Sequence, residues 1–249
     1  MKEFDKYIQF EELLKYDDIV HLSTKKPFNF SKNIKEEEIN KQYQELKNIL
    51  NYDFIVKKPN QTHTNVVQMV TEENINDNFL NTDGLITNLK GVGLAISTAD
   101  CQGILLYDPI KKVIGSIHSG WKGTLNKITM NAINLMINEY NSNPSDVIAC
   151  ISPSILKCCF EVDLEVVDMF QNNFTDINEF IYKGEIKDGI QKYFIDTIGI
   201  NKNEMMKLEL KEENIICSNI CTKCNHLKYH SYRYDHDLSG RNISLICLK

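Results

Sequence analysis

The chain has 249 residues, of which 42% are hydrophobic, and a formal net charge of −6, which suits one large α/β domain or two small ones. The acidic balance argues against a nucleic-acid partner, because phosphate binding needs a clustered basic face. No apolar run reaches the roughly 18 residues that a membrane helix needs, and the first residues lack the apolar core of an export signal, so we expect a cytoplasmic protein that does not enter a membrane.

The first 70 residues predict short strands around one helix. Residues 1–30 read as strands and turns, and residues 31–51 predict a helix that Ser31 can cap. Short apolar runs at 53–56 and 66–70 predict two further strands. His63 lies just ahead of the second of these, where a lone histidine is more often a surface or core residue than a metal ligand.

The stretch 83–123 is the centre of the sequence pattern. It holds the densest glycine use and the only tryptophan, Trp121. Its apolar runs at 93–98, 103–107 and 113–118 predict three strands, with a turn at Asp108-Pro109. Cys101 and His118 fall at predicted strand ends. A sheet that brings such side chains together at strand ends provides a rigid scaffold for a site.

Helical and strand patterns continue to the C-terminus. Residues 123–140 predict a helix whose glycine-flanked start, from Gly120, could bind an anion. Further predictions are strands at 147–151, 214–218 and 243–248, helices at 160–170 and 203–210, an irregular segment at 171–190, and an element of undecided type at 192–200. No repeat or linker divides the chain, so we expect a single α/β domain, 1–249, with a mixed central sheet flanked by helices.

Two sets of residues could hold a metal. The first is His63, Cys101 and His118, and its thiolate and two imidazoles suit a catalytic zinc site with a position left open for water. The second set lies near the C-terminus and comprises Cys217, Cys221, Cys224, His226, His230 and His236. There a Cys-x-x-Cys pair is followed by histidines, as in a zinc knuckle, which makes this set the stronger candidate by spacing alone.

The eight cysteines of the chain are expected to be reduced. Without an export signal, free thiols or metal ligands are more common than disulfides. The adjacent pair Cys158-Cys159 also fits disulfide geometry poorly. Most of the cysteines should be small core residues.

Short segments spread along most of the chain carry a specific resemblance to a known family. They are Gln61-Thr62-His63, Asp83-Gly84-Leu85-Ile86-Thr87, Thr98-Ala99-Asp100-Cys101, His118-Ser119-Gly120-Trp121-Lys122-Gly123, Ile151-Ser152-Pro153-Ser154-Ile155, Cys159-Phe160-Glu161-Val162, Cys221-Thr222, Ser231-Tyr232-Arg233 and Ser239-Gly240-Arg241. In order and spacing they resemble the laccase-domain or polyphenol-oxidase family, also called the peptidoglycan editing factor family. Members of that family are regarded as purine nucleoside phosphorylases with adenosine deaminase activity.

The resemblance implies that the first set, His63, Cys101 and His118, binds the metal at the ends of central strands. The metal it implies is zinc, with copper as the alternative. It also implies that Cys224, His226 and His230 are not ligands, which weakens the knuckle interpretation.

Three departures from the family pattern affect the expected substrate contacts. Thr64 follows the histidine where glycine is usual, Lys122 replaces an arginine after Trp121, and Tyr234 replaces the second arginine after Ser231-Tyr232-Arg233. Because lysine cannot make the planar two-point contact of arginine, we expect a slow enzyme rather than an inactive one.

The implied reactions are phosphorolysis of adenosine, inosine, guanosine and methylthioadenosine, and deamination of adenosine, by a monomer. Asp100 could move a proton, or it could instead orient a ligand or cap a loop. Four residues are candidates to hold phosphate or substrate: Arg233, Arg241, Lys122 and Gly120. Three aromatic residues could stack on a purine: Trp121, Tyr232 and Phe160.

Two other functions stay open from the sequence. One Cys and two His are the in-plane ligands of a blue-copper centre, so a copper-dependent polyphenol oxidase is one alternative. However, the six histidines are fewer than a multicopper oxidase uses, and they form no His-x-His pair. The other alternative is a hydrolase that edits peptidoglycan precursors, for which a metal-activated water would serve equally well.

Overall fold

The computed structural model describes residues 1–249. The strands are β1 (Lys2–Glu3), β2 (Tyr7–Gln9), β3 (Ile19–Thr24), β4 (Ile55–Lys57), β5 (Val67–Met69), β6 (Gly84–Thr87), β7 (Val92–Thr98), β8 (Gln102–Asp108), β9 (Val113–Ser119), β10 (Ile148–Ile151), β11 (Glu161–Val162), β12 (Ile181–Lys187), β13 (Ile190–Ile195), β14 (Ile215–Cys217) and β15 (Asn242–Leu248). The helices are α1 (Glu36–Leu50), α2 (Trp121–Leu125), α3 (Ile128–Tyr140), α4 (Leu164–Asn173), α5 (Thr197–Lys207) and α6 (Tyr232–Asp235). None of these helices combines the length and apolar character required to cross a membrane.

The strands form three sheets. The first has the order β1-β2-β3-β15-β7-β4, and only its β4–β7 pair is parallel. The second has the order β14-β10-β8-β9-β6-β5 and is parallel at both edges. A small antiparallel sheet, β11-β13-β12, completes the set. The predicted α/β class with mixed sheets and flanking helices is confirmed, although the strands are divided among three sheets rather than gathered in one.

Strand β8 shows how the two large sheets stack. Its side chains alternate, so that Ile104 and Leu106 pack against α3 and α5 while Leu105 and Tyr107 pack toward Ile246 of the first sheet. Because both faces of the strand are covered, its sequence is a continuous apolar run instead of an alternation with polar residues. On the outer face of the first sheet, α1 covers the strands and buries its own leucine, Leu46. The layers therefore run α1, first sheet, second sheet, α3 and α5.

Four predicted elements differ from the structure. The predicted helix at 160–170 begins only at Leu164, because Glu161–Val162 form β11. The predicted helix at 31–51 begins only at Glu36, because the chain turns first and the Ser31 amide donates to Asn29. The predicted helix at 123–140 is broken into α2 and α3 at Lys127, whose φ of 59° is left-handed. The prediction of an irregular segment at 171–190 is wrong, because β12 lies there. Its side chains are mostly exposed, so no apolar pattern marks the strand.

The segment of undecided type at 192–200 contains parts of two elements. Strand β13 ends at Ile195 and α5 begins at Thr197. Asp196 caps the helix by accepting a hydrogen bond from the Gly199 amide at 2.9 Å. The predicted helix at 203–210 overlaps the second half of α5, which ends at Lys207.

Ile104→Ala should lower the free energy of unfolding by about 2–5 kcal/mol, because the substitution leaves a cavity between β8 and the helices that cover it. Ile104 is fully buried, whereas Ile110, which follows the same strand, is 67% exposed. Ile110→Ala is therefore the matched control and should change the stability by less than about 0.5 kcal/mol. Denaturant titration of the three proteins measures the effect, and similar small values for both variants would contradict this account of the core.

Candidate functional site

The structure brings His63, Cys101 and His118 together. Their ligand atoms all lie within 4.8 Å of one another, and Cys101 Sγ is 3.9 Å from His63 Nε2. Cys101 lies in the short connection between β7 and β8, where the chain passes from the first sheet to the second. His118 is on β9, and His63 is in the loop between β4 and β5. The three predicted ligands thus come from three segments that meet beside the edge of the sheet stack.

Asp83 is the residue that orders this cluster. Its fully buried carboxylate accepts hydrogen bonds from three consecutive amides, those of Thr62, His63 and Thr64, at 3.1, 3.0 and 2.7 Å. It also accepts from the Thr64 hydroxyl at 2.8 Å and pairs with His118 Nδ1 at 2.7 Å. Because Nδ1 is engaged, Nε2 of His118 is the nitrogen left to bind a metal. Thr64, which stands where the family pattern has glycine, therefore adds the hydrogen bond from its hydroxyl to Asp83.

The sequence interpretation did not include Asp83 among the site residues, although the matched segment 83–87 begins with it. A buried carboxylate beside a metal-binding histidine is a common outer partner that fixes the imidazole orientation. The sequence alone gave no sign that this carboxylate faces both His118 and the His63 loop, since these contacts span three separate segments.

The cluster favours the thiolate form of Cys101. Burial acts to raise the pKa of this thiol, but the neighbouring imidazoles, His118 first and then His63, outweigh burial and lower it to about 6. Burial acts in turn to lower the pKa of His118, and Cys101 together with Asp83 raises it to about 9. The thiolate is the form of cysteine that binds metals, so the site holds its sulfur ready for a cation at neutral pH.

Gly120 lies so close to the cluster that a side chain would disturb it. A Cβ added there would be 3.0 Å from Cys101 Sγ and 3.0 Å from His63 Cδ2. Gly120 precedes α2, so the glycine-flanked helix start that is predicted as an anion site lies against two of the candidate metal ligands.

A cavity of about 1280 Å³ opens over the cluster. Its lining includes most of the residues predicted from the sequence: His63, Asp100, Cys101, His118, Gly120, Trp121, Phe160, Tyr232, Arg233 and Arg241. Lys122 is not part of the lining, since it is exposed and its ammonium lies 5.5 Å from the centre of the Trp121 ring. The cavity is large enough for a nucleoside and a phosphate together.

Both cavity arginines are partly held by backbone carbonyls. Nη1 of Arg233 donates to the carbonyls of Cys159 and Glu161, each at 3.1 Å. Nη1 of Arg241 donates to those of Ser239 and Gly240 at 2.9 and 2.8 Å. Their remaining guanidinium nitrogens donate to no other group of the protein, which leaves donors available to an anion in the cavity.

Asp100 lies between the metal cluster and the C-terminal segment. One carboxylate oxygen accepts from the Thr222 hydroxyl and the other from the Arg233 amide, both at 2.6 Å. Of the two roles considered for Asp100, this geometry favours positioning over proton transfer, because both oxygens already bind donors. The residue adopts a φ of 85° next to Cys101, so it also sets the path of the chain at that ligand.

Two lysines that the sequence interpretation left out also line the cavity. Burial lowers the pKa of Lys58 to about 8, and the positive charges of Lys32 and Arg241 lower it further in the same direction. All three cations belong to the cavity lining. They form a positively charged end of the cavity, which attracts an anion such as phosphate.

The predicted C-terminal knuckle does not form as a mixed cysteine and histidine site. The His226 ring stacks on Tyr234 with 3.6 Å between centroids, and His230 Nε2 lies 2.9 Å from the carbonyl oxygen of Phe28. Cys221 and Cys224 lie instead beside two other cysteines, Cys158 and Cys159.

We expect Asp83→Asn to weaken metal binding about 10- to 100-fold, the usual cost of losing such an outer partner. The amide cannot accept as many hydrogen bonds from the His63 loop and His118 as the carboxylate does. Competition with a coloured chelator measures the affinity, with Asp77→Asn in the exposed neighbouring loop as the matched control. Unchanged affinity in Asp83→Asn would mean that the carboxylate does not set the imidazole orientation.

Comparisons with known proteins agree with the resemblance seen in the sequence segments. The family model described as multi-copper polyphenol oxidoreductase laccase matches residues 23–249. The chain is 34% identical over 168 residues to the purine nucleoside phosphorylase YlmD of Bacillus subtilis (strain 168), an alignment covering 68% of this chain and 59% of that protein. It is 29% identical over 167 residues to an adenosine deaminase from an unknown prokaryotic organism, covering 67% of this chain and 62% of that protein.

A solved structure matches nearly the whole chain. The crystal structure of the Bacillus licheniformis hypothetical protein YfiH has a TM-score of 0.88 and 26% identity, over 99% of this chain and 98% of that one. The sequence alignments, by contrast, span about three fifths of the length of the two curated relatives.

Proposed function

We propose that this chain, which belongs to the multi-copper polyphenol oxidoreductase laccase family, is a zinc-dependent purine nucleoside phosphorylase that also deaminates adenosine. The observation that carries the proposal is that a three-ligand metal cluster and a group of free cationic donors line one cavity. The names of two relatives, a purine nucleoside phosphorylase and an adenosine deaminase, support the same two reactions.

The residues present fit a zinc ion. Zinc bonds of about 2.0–2.3 Å place tetrahedral ligand atoms roughly 3.3–3.8 Å apart, and Cys101 Sγ and His63 Nε2 lie 3.9 Å apart. One thiolate and two imidazoles leave a fourth position open, which is the arrangement of catalytic zinc sites. Zinc so bound supplies a Lewis acid and lowers the pKa of water to about 7.

The same donor set would also suit a single copper ion, since one Cys and two His are blue-copper ligands. His63, Cys101 and His118 form one cluster, and the other cluster of possible metal ligands contains only cysteines. A multicopper oxidase needs several histidine-rich centres. The described side chains therefore do not support the several copper centres of a multicopper oxidase.

The cavity lining supplies candidate groups for both phosphate and base. In phosphorolysis an oxygen of phosphate bonds to C1′ of the ribose while the bond from C1′ to the base breaks. Arg233, Arg241 and Lys58 provide the donors that would hold and orient the phosphate. Trp121 provides a flat apolar surface that a purine can stack on. Phe160, the other aromatic candidate, is buried and lies 5.7 Å from the guanidinium carbon of Arg233, so it supports that arginine instead. We further expect a monomeric, cytoplasmic enzyme.

We expect the KM for phosphate to rise as the pH increases through about 8. Lys58 has a lowered pKa of about 8, so it carries its charge below that pH and loses it above. The charged groups that face it are Lys32 and Arg241. Steady-state kinetics between pH 7 and 9 measure the change.

Lys58→Arg is the matched control for this pH dependence. Arginine keeps its charge throughout the range, so the KM for phosphate of this variant should change less between pH 7 and 9 than that of the wild type. If wild type and Lys58→Arg show the same increase in KM, Lys58 does not contact the phosphate.

The function itself is tested by product analysis. Purified protein is incubated with adenosine, with and without phosphate, and in parallel with a phenol and with a peptidoglycan precursor. We expect adenine in the presence of phosphate, slow formation of inosine in its absence, and hypoxanthine from inosine and phosphate. Oxidation of the phenol or cleavage of the precursor, with no change in any nucleoside, would replace this proposal by the corresponding alternative.

A further inference from the structure

We propose that Cys158, Cys159, Cys221 and Cys224 form a second metal site, which binds a structural zinc ion through four thiolates. Their sulfur atoms all lie within 4.8 Å of one another. Cys224 Sγ is 3.8 Å from Cys158 Sγ and 3.4 Å from Cys159 Sγ. None of the four belongs to the cavity lining or to the cluster of His63, Cys101 and His118.

The sulfur separations match a metal site better than a disulfide. With Zn–S bonds of about 2.3 Å, two sulfurs at tetrahedral positions lie about 3.8 Å apart. A disulfide would need about 2.05 Å, which is far shorter than either measured separation, and all four cysteines are free thiols in the structure. Four soft thiolates select zinc or another thiophilic metal over magnesium or calcium.

Backbone contacts hold the two halves of the site in place. Cys158 and Cys159 lie in a turn that is closed by the Cys159 amide donating to the Leu156 carbonyl at 2.9 Å. Cys221 and Cys224 lie in a second turn, closed by the Asn225 amide donating to the Cys221 carbonyl at 3.0 Å.

Two further hydrogen bonds join the turns to each other. The Ser154 amide donates to the Ile220 carbonyl at 3.2 Å, and the Thr222 amide donates to the Ser154 carbonyl at 3.0 Å. The four sulfurs are therefore placed by paired backbone rather than by free loops. Such a site costs little additional ordering when the metal binds.

The site is structural because four protein sulfurs leave no open position on a tetrahedral ion. Its effect would reach the cavity through its neighbours. The carbonyl of Cys159 accepts a hydrogen bond from Arg233, and Thr222, which follows Cys221, donates to Asp100. Zinc bound here would clamp together the two turns that position Arg233 and Asp100.

The first test is the zinc content of the full chain purified without added metal. We expect about two zinc ions per chain in the wild type and about one each in Cys224→Ser and Cys101→Ser. Cys217→Ser is the matched control, because Cys217 lies outside both clusters, and it should keep both ions. A wild type with one zinc, lost in Cys101→Ser and kept in Cys224→Ser, would overturn the proposal while leaving the proposed catalytic centre intact.

The second test needs no mutation, so it holds even if Cys224→Ser fails to fold. Cys158 and Cys224 are exposed, so without metal both should react with iodoacetamide. With zinc bound we expect both to be protected, and a chelator should release the protection, as read by peptide mass spectrometry. Equal alkylation rates with and without the chelator, or a mass lower by about two hydrogens that shows a disulfide among these cysteines, would refute the site.

Discussion

Cys101→Ser should remove metal from the centre formed by Cys101 and the two histidines and abolish both proposed reactions. Serine lacks the thiolate that the imidazoles stabilise in the wild type, and a hydroxyl is a poor zinc ligand at neutral pH. Loss of an outer partner alone costs about 10- to 100-fold in metal affinity or activity, so loss of a ligand should cost more than about 100-fold. Metal analysis together with kcat/KM for phosphorolysis and deamination measures the effect.

The control for this substitution is Cys217→Ser, which changes a thiol away from the centre and should leave both activities as they are. Cys101→Ser also tests whether phosphorolysis and deamination depend on the same metal. If Cys101→Ser keeps phosphorolysis and loses only deamination, the metal serves the hydrolytic reaction alone, and the shared-centre account is wrong.

Arg233→Ala should weaken phosphorolysis about 10- to 150-fold, and deamination much less. A hydrogen bond to a charged group contributes about 1.5–3 kcal/mol, which corresponds to that range of rates. Nη1 of Arg233 is held by the carbonyls of Cys159 and Glu161, which anchors a guanidinium that lines the cavity and whose other nitrogens donate to no protein group. The KM for phosphate and kcat for the two reactions measure the difference.

Arg233→Lys is the informative comparison for the alanine variant. Lysine keeps the charge and loses the planar fork, so it should recover part of the phosphate affinity. Equal loss of both reactions in Arg233→Ala, with a lowered melting temperature, would show that Arg233 only braces the cavity wall against the two carbonyls.

The central strands could be predicted from the sequence because they are buried on both faces. The predicted runs at 93–98, 103–107 and 113–118 fall within β7, β8 and β9, whose residues are almost all buried. Such strands give continuous apolar segments. The same feature conceals the division into two sheets, since an apolar run does not show which layer covers each face.

The three residues proposed as metal ligands could be named because the matched segments are specific, whereas their partners could not. Asp83 acts through contacts to the loop that holds His63 and to a strand that is distant in sequence, and neither spacing nor composition reveals these. Lys58 becomes a cavity residue only because folding places it near Lys32 and Arg241. Both roles depend on tertiary contacts.

The cluster of Cys158, Cys159, Cys221 and Cys224 could not be predicted from the sequence either. The sequence suggested a knuckle because Cys221 and Cys224 are close to two histidines. The fold directs those histidines elsewhere and supplies Cys158 and Cys159 from a distant turn. A ligand set built from two separate turns has no local spacing that a sequence pattern could recognise.

The measurement that tests the central claim most directly is phosphorus NMR of the reaction of purified protein with adenosine and phosphate. The account predicts ribose 1-phosphate in amounts equal to the adenine released, with neither product formed by Cys101→Ser. Free ribose in place of ribose 1-phosphate would show hydrolysis rather than phosphorolysis. Wild-type protein that carries its metal and leaves adenosine and inosine unchanged would contradict the assignment altogether.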